Sequence, residues 1–422
     1  MTTTEQQTET TASTLTRRPT RFAFWTAAAV IVVALWASGS PAMIYPLYER
    51  IWDLPPAVTT SVFAVYPLVL IIALLLFGDL SDHIGRRTSI LLGLSSILIG
   101  VLVFALAPNV EWLFVGRFFQ GLGVGLSLSP AGAALVDLDR TGKRASTVNT
   151  VAIAIGLTLA TVVGGALVQY GPAPRALTFW VLLGVVVVVG ATAIFLPRHV
   201  RDESLSPWRP RPIHVPRAIR GILATAALAI TLSFAVGSVF ISLGAQIVKD
   251  VLHTDNALTA GIVLAIGAAV SGVVSIALRR LPPRTSAIIG GVLGALTVVA
   301  LVGSAYMSSL ALFIAASLLF GGASGLLFLG GLGLIAANAA PQHRAGTLSM
   351  AYLFAYLGQV ITSVGLGVLA TELGLAKGLD LVGPVLLMLA FATILVAVVA
   401  GRPKAVIVER IETATCPIPV AE

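Results

Sequence analysis

Charge is scarce in this sequence: 10% of its 422 residues are Asp, Glu, Lys or Arg, while 57% come from the hydrophobic set. A soluble domain carries about a quarter charged residues, and a chain this apolar has too little polar surface to cover a core in water. The mean hydropathy of +0.98 calls for lipid as the solvent. Cysteine is nearly absent. Cys416 has no partner in the chain, which excludes an internal disulfide framework. No His/Cys cluster has metal-ligand spacing, and no metal or other cofactor is expected. Acidic residues avoid the middle of every apolar run, and Glu49, Asp250 and Glu372 sit at the ends of theirs. A deep carboxylate is the usual proton carrier or cation counter-ion inside a membrane. Its absence weighs against sugar symport and export of multiply charged cations, and leaves neutral, amphipathic or anionic substrates. Paired carboxylates, HExxH, a nucleophile elbow and a phosphate-binding glycine loop are also missing, which disfavours an intramembrane enzyme. The formal charge of +8 would suggest nucleic acid in a soluble chain. Here its placement matters more than its sum, and no nucleic-acid partner is expected.

What is present is a series of long apolar runs. A spanning helix needs roughly 17–25 mostly apolar residues. Such runs fall at 22–46, 58–78, 88–107, 112–136, 146–170 and 177–197, and again at 219–246, 257–278, 285–305, 308–336, 346–371 and 380–401. The weakest division lies between 285–305 and 308–336, where Tyr306, Met307 and two serines are the interruption. The first run is long enough to span and reads as a retained helix, not a signal peptide. Residues 1–20 read as a disordered tail, and 402–422 as a second tail. Of the 26 Lys and Arg, Arg50, Arg175, Lys249 and Lys377 fall in the loops of one side and Arg117 falls inside a run. The others lie on the opposite side, so the positive-inside rule puts both termini in the cytoplasm. The basic, Pro-rich segment 198–218 then links two units, 21–197 and 219–401, and lies near anionic lipid. The expected fold is an all-α membrane protein of twelve transmembrane helices in two six-helix bundles, resident in the cell (plasma) membrane.

The two units carry a repeat. RFFQGLGVGLSLSPAGAALVDLDRTGKRAST and LLFGGASGLLFLGGLGLIAANAAPQHRAGTLS align so that Gly125 matches Gly325 and Arg144 matches Arg344, each 200 residues on. Each is a Gly-rich helix, a short basic loop and another helix, as in a parallel repeat related by an axis along the membrane normal. Polar side chains at helical spacing mark faces that should look into a cavity. Tyr352, Tyr356, Gln359 and Ser363 do so in the eleventh run, and Ser238, Ser242 and Gln246 in the seventh; Pro41, Tyr45 and Pro46 cluster in the first, and Tyr66 lies in the second. Helix–helix hydrogen bonding is the alternative for any one of them. As a set, Tyr45, Tyr66, Gln246, Tyr352, Tyr356 and Gln359 outline a weakly polar, aromatic substrate cavity.

The loop after the second run reads Gly78-Asp79-Leu80-Ser81-Asp82-His83-Ile84-Gly85-Arg86-Arg87. It resembles the signature of the major facilitator superfamily, in spacing and in position. Gly78 would let a neighbouring helix approach, and Asp82 and Arg86 at i,i+4 suit an ion pair on one helical face. Asp82 can also face a helix N-terminus. The resemblance implies a gating motif of Gly78, Asp82, Gly85, Arg86, Arg87 and Asp137 that latches the cytoplasmic ends of the bundles, with Asp137 placed to pair with Arg86; an ordinary solvated loop is the alternative. Arg117-Phe118-Phe119-Gln120-Gly121 is similar to the arginine and Gln-Gly of the family's fourth helix, which implies proton coupling by Arg117 and Gln120. A structural role, snorkelling or pairing with the first helix, stands beside it. The fifth helix departs from the pattern of the family's proton antiporters: Gly164 and Gly165 fit, but Ala160 and Thr161 replace a Gly-Pro pair. The second-half counterpart, Leu278-Arg279-Arg280-Leu281-Pro282-Pro283-Arg284, keeps only the basic residues. The expectation is a secondary transporter, monomeric in the lipid bilayer, that exports a drug-like or metabolite small molecule in exchange for protons. Nutrient uptake by symport or facilitated diffusion is the alternative.

Overall fold

The computed structural model describes residues 21–78, 80–139, 144–197, 219–253 and 255–399, without the side chains of Asp82, Pro341, Gln342 and Ala345. The tails 1–20 and 402–422 and the linker 198–218 lie outside the described residues. The described chain is helical. α1 (Arg21–Gly39) passes through a 3-10 turn (Ser40–Met43) into α2 (Tyr45–Trp52). Pro41 and Pro46 stand in the opening turns of the second and third of these pieces. Proline has no N–H for the helical ladder, so the ladder breaks and restarts here. α3 (Pro56–Phe77), α4 (Leu80–Ile84), α5 (Arg86–Leu106), α6 (Val110–Leu138), α7 (Ala145–Tyr170) and α8 (Leu177–Ala193) follow. After the linker come α9 (Arg220–Gln246) with a π turn (Ile247–Val251), α10 (Ala257–Ala277), α11 (Pro283–Tyr306), α12 (Leu310–Asn338), α13 (Pro341–Leu373) and α14 (Leu375–Val399).

Among the described residues, 11 helices are long and apolar enough to cross a membrane, with Arg21–Trp52 and Arg220–Val251 each taken as one. α8 is apolar but shorter, at 17 residues. The division between α11 and α12 is real: the chain turns at Met307–Ser309, with Ser308 in the left-handed region at φ 48°.

The buried apolar residues form one cluster within 23–196 and two within the second half, one of which also takes in Ala42 and Met43. The repeat is legible in the packing. A Cβ on Gly121 of α6 would lie 2.6 Å from the Tyr66 carbonyl oxygen of α3, and one on Gly321 of α12 would lie 2.6 Å from the Gly267 carbonyl oxygen of α10. Four residues on, Gly125 presses on Ala73 and Gly325 on Ser271. The same small-residue stripe therefore seats the same neighbour in each half.

The halves meet along α3 with α13 and α7 with α10. They are shut at the end that carries Glu49. There the Ala57 N–H donates to Thr371 Oγ1 at 2.9 Å and the Ala257 N–H donates to Gln169 Oε1 at 2.8 Å. Glu49 is itself held within the first half, accepting from the Thr59 hydroxyl at 2.6 Å. A Cβ on Gly261 would come within 2.3 Å of the Thr161 carbonyl oxygen, so α7 and α10 touch backbone to backbone. Gly261→Leu should therefore pry this end open. In a Cys416→Ala background with Thr60→Cys as reporter, a buried position at this seam, maleimide labelling should quicken about tenfold, equivalent to ~1.4 kcal/mol. An unchanged rate would show that the α7–α10 contact does not hold the end shut.

Candidate functional site

Arg117 lies seven residues into α6 and is wholly buried, with 0% of its surface exposed. Its partners are neutral. Nε and Nη2 donate to the Tyr45 hydroxyl at 2.9 and 2.6 Å, and Nη1 donates to the Ser38 carbonyl at 2.8 Å and to Gln120 Oε1 at 3.2 Å. The rings of Tyr45, Phe63, Tyr66 and Phe104 surround the guanidinium, with centroids 5.6, 5.7, 5.7 and 6.0 Å from Cζ. A cation facing aromatic rings gains roughly 0.5–2 kcal/mol per contact when desolvated. Arginine stays protonated in proteins, so this is a fixed positive charge in an apolar shell. The side chain does not snorkel. It pairs with the first helix, and it does so through a backbone carbonyl and Tyr45.

The local chain explains why that carbonyl is free. α1 ends at Gly39 and Pro41 brings no N–H, so the last carbonyls of α1 lie outside the regular ladder. The Ser40 hydroxyl takes up the Ala37 carbonyl at 3.1 Å, and Arg117 takes up that of Ser38.

At the opposite end, Arg86 forms an ion pair with Asp137, joining α5 to the last turn of α6. The expected Asp82–Arg86 face of one helix does not exist. Gly85 has φ 87°, a conformation that suits glycine, and it divides α4 from α5 between those two residues. Gly78 also differs from expectation: among the described residues a Cβ there would meet only Leu74 of α3, the helix it ends, and no neighbouring helix. Asp79 lies outside the described residues. Arg87, the second residue of α5, lies with Gly85 on a surface groove of about 400 Å³.

The lining residues separate into three places. Tyr352 and Tyr356 gather with Phe234 and Phe328, Tyr356 lying 4.8 Å from Phe234 between centroids. Tyr356 also packs against the first-half cluster that contains Tyr66, so these aromatics bridge the halves. Gln359, one turn further along α13, is buried and its Oε1 has no partner. Tyr45 is turned to Arg117 and is 1% exposed, so it does not line the same space. Gln246 stands at the shut end, beside Asp250 and Lys377. Ser238 and Ser363 donate to carbonyls of their own helices. Sequence reasoning missed Ser38, which acts through its backbone and carries no letter signal, and also Phe63 and Phe104. Phe63 stands one turn before Tyr66, and that spacing was the available hint.

Two similar helical halves are shut against each other at one end, and the first of them holds a buried fixed cation. A sequence description of the Major Facilitator Superfamily matches residues 25–361, and the chain belongs to that family. It is 32% identical over 163 residues to the multidrug efflux pump LfrA of Mycolicibacterium smegmatis, covering 37% of this chain and 32% of that one. It is 26% identical over 232 residues to the multidrug resistance protein MdtL of Salmonella paratyphi B, covering 53% of this chain and 58% of that one. The match to LfrA therefore spans about a third of that relative's length. The fold is similar to that of a bacterial homologue of the human lysosomal transporter Spinster, in an inward-facing and unoccupied conformation. The TM-score is 0.71 at 16% identity, over 89% of this chain and 96% of that one. The chain is thus a multi-pass membrane protein of this superfamily.

Tyr45→Phe strands two guanidinium donors of Arg117 and should lower stability by about 1–3 kcal/mol. Tyr48→Phe removes a buried hydroxyl that has no protein partner and should stay within ~0.5 kcal/mol. Thermal unfolding of the purified variants compares the two. Equal losses would mean that the Tyr45–Arg117 bonds add nothing.

Proposed function

We propose that the chain is a secondary transporter of twelve spans in two six-helix units, with both termini in the cytoplasm, that exports small, largely apolar or amphipathic molecules in exchange for protons. The cycle is rigid-body rocking of the two units about a midplane site. The observation that carries this reading is Arg117: a buried guanidinium caged in the first half with neutral partners only. Burying such a charge costs several kcal/mol, and an ionisable residue kept inside a membrane span reads by default as functional. Its field favours a negative group or the departure of a proton beside it, which is what exchange of a proton for a substrate requires. The aromatic group of Tyr66, Tyr352, Tyr356 and Phe234, with the free carbonyl of Gln359, suits an apolar body with few hydrogen bonds.

On this reading the shut Glu49 end faces outward and the Arg86 end faces the cytoplasm. Arg86–Asp137, with Gly78, Asp82, Gly85 and Arg87, is then the latch of the alternate state, in which the cytoplasmic ends close. The similarity to two drug-efflux proteins favours export. Uptake is the second reading, favoured by Ala160 and Thr161 of α7, which replace the Gly-Pro of the family's proton antiporters and leave that helix without an internal proline.

The test is proton flux in inside-out vesicles energised by respiration, with a pH-sensitive dye reporting collapse of the gradient as compounds are added. A compound that dissipates the gradient with the unaltered protein but not with Arg117→Ala establishes antiport and its dependence on Arg117. Unchanged pH dependence in Arg117→Ala would sink the coupling role, and silence across a broad panel moves the reading to uptake. Asp82→Asn should slow transport while leaving membrane insertion intact.

A further inference from the structure

Neither the Arg117 cage nor the Arg86 loop involves the shut end itself, where a groove of about 590 Å³ opens. Its walls are the π turn after α9, the α11–α12 and α13–α14 connections, and Pro56 of the first half. Several departures from regular backbone meet in it. The π turn is a rare form that is frequent at functional sites. His253 and Ser308 both line the groove with left-handed backbone, φ 51° and 48°. Such strain in a residue other than glycine persists where its surroundings over-determine it, and it gathers at ligand sites.

An independent observation points to a ligand. Gln246 lines the groove, is only 8% exposed, and its side-chain carbonyl Oε1 has no hydrogen-bond partner. A buried acceptor left unpaired is costly, and a donor arriving in the groove would satisfy it. The charges are of both signs. Asp250 brings a carboxylate, shared with Lys249 at 3.8 Å, and Lys377 at the start of α14 brings an ammonium. Most of the remaining lining is aliphatic.

We propose that this groove binds a small zwitterion, with its ammonium at Asp250 and an N–H directed to Gln246, its anionic group at Lys377, and an aliphatic body between them. A simple cation meets Lys377 without a counter-charge, and a simple anion meets Asp250 in the same way. Pro56 belongs to one half and the other walls to the second, so the groove is complete only while this end is shut. An occupant therefore favours the shut state, since a ligand shifts a two-state equilibrium by its differential affinity.

The test uses the full chain in detergent and three matched probes, 6-aminohexanoate, hexylamine and hexanoate, at equal ionic strength. Thermal stabilisation and calorimetric titration should show saturable binding of 6-aminohexanoate, with the other two roughly tenfold weaker or worse. Lys377→Gln changes an exposed residue and spares the fold. It should weaken 6-aminohexanoate roughly tenfold, as should Asp250→Asn and Gln246→Leu. Labelling of the Thr60→Cys reporter should slow in its presence. The proposal is overturned if 6-aminohexanoate gives no saturable stabilisation, if either monopolar probe matches it, or if Lys377→Gln binds it unchanged. These readouts are of binding and need no transport, so failure of proton exchange leaves them intact.

Discussion

The first half is organised around one desolvated cation. Arg117 needs several acceptors, and an apolar interior offers few. The chain supplies them by interrupting its own first helix. Pro41 and Pro46 break the ladder, the turn Ser40–Met43 carries the chain across, and the break leaves the Ser38 carbonyl free while aiming Tyr45 at the guanidinium. α1, α2 and α6 are thereby fixed relative to one another by polar contacts that have no alternative partner in lipid. The aromatic rings of α3 and α5 then close the shell. Removing any one acceptor leaves a charge with unpaired donors, which is why helix position and charge satisfaction are a single constraint here.

The halves are held together by a different principle. Lipid offers no hydrophobic drive between helices, so close approach of small residues takes its place. Within a half, Gly121 and Gly321 let α6 and α12 reach the backbones of α3 and α10. Between halves, Gly261 does the same for α10 against Thr161 of α7, and Gly367 for α13 against Thr60 of α3. The hydrogen bonds of Ala57 and Ala257 lie at exposed positions of these seams. Such an interface can part without exposing a charge. The Arg117 cage lies inside one half and survives that parting.

The amount legible in the sequence follows from the same division. Arg117 stood out because a charge in an apolar run is expensive, and the offset of 200 residues stood out because matched glycines recur on matched helices. Pairing of Arg86 with Asp137 was also within reach. The partners of Arg117 were only half legible, since Ser38 contributes a carbonyl that every residue possesses. Helical spacing gives a face but not a depth. Tyr45, Gln246 and Tyr356 all sit on polar faces, yet one is consumed by Arg117, one opens at the shut end, and one bridges the halves. Serines on such faces are also satisfied by their own helix, as Ser238 and Ser363 are, and the sequence does not separate these from serines that look into a cavity. Asp82 and Arg86 do not share one helix, because a positive φ at Gly85 ends one helix and the next begins at Arg86.

The location of every Arg117 partner constrains how a proton exchange can work. Ser38, Tyr45, Phe63, Tyr66, Phe104 and Gln120 all belong to the first half. The proposed rocking of the halves would therefore move the charge and its cage as one body, with no direct partner gained or lost in the stroke. What changes is the access of water and substrate to the cage. Gln120 is the place where that access would register. Its Oε1 is held by Arg117, while its Nε2 is buried without a partner, a donor waiting for an acceptor. An acceptor arriving there enters the field of the guanidinium, which favours it more the more negative it is. Under the proposed exchange, an anionic or electron-rich substrate group would compete for that position with neutral water, and a protonated group would be driven from it by Arg117.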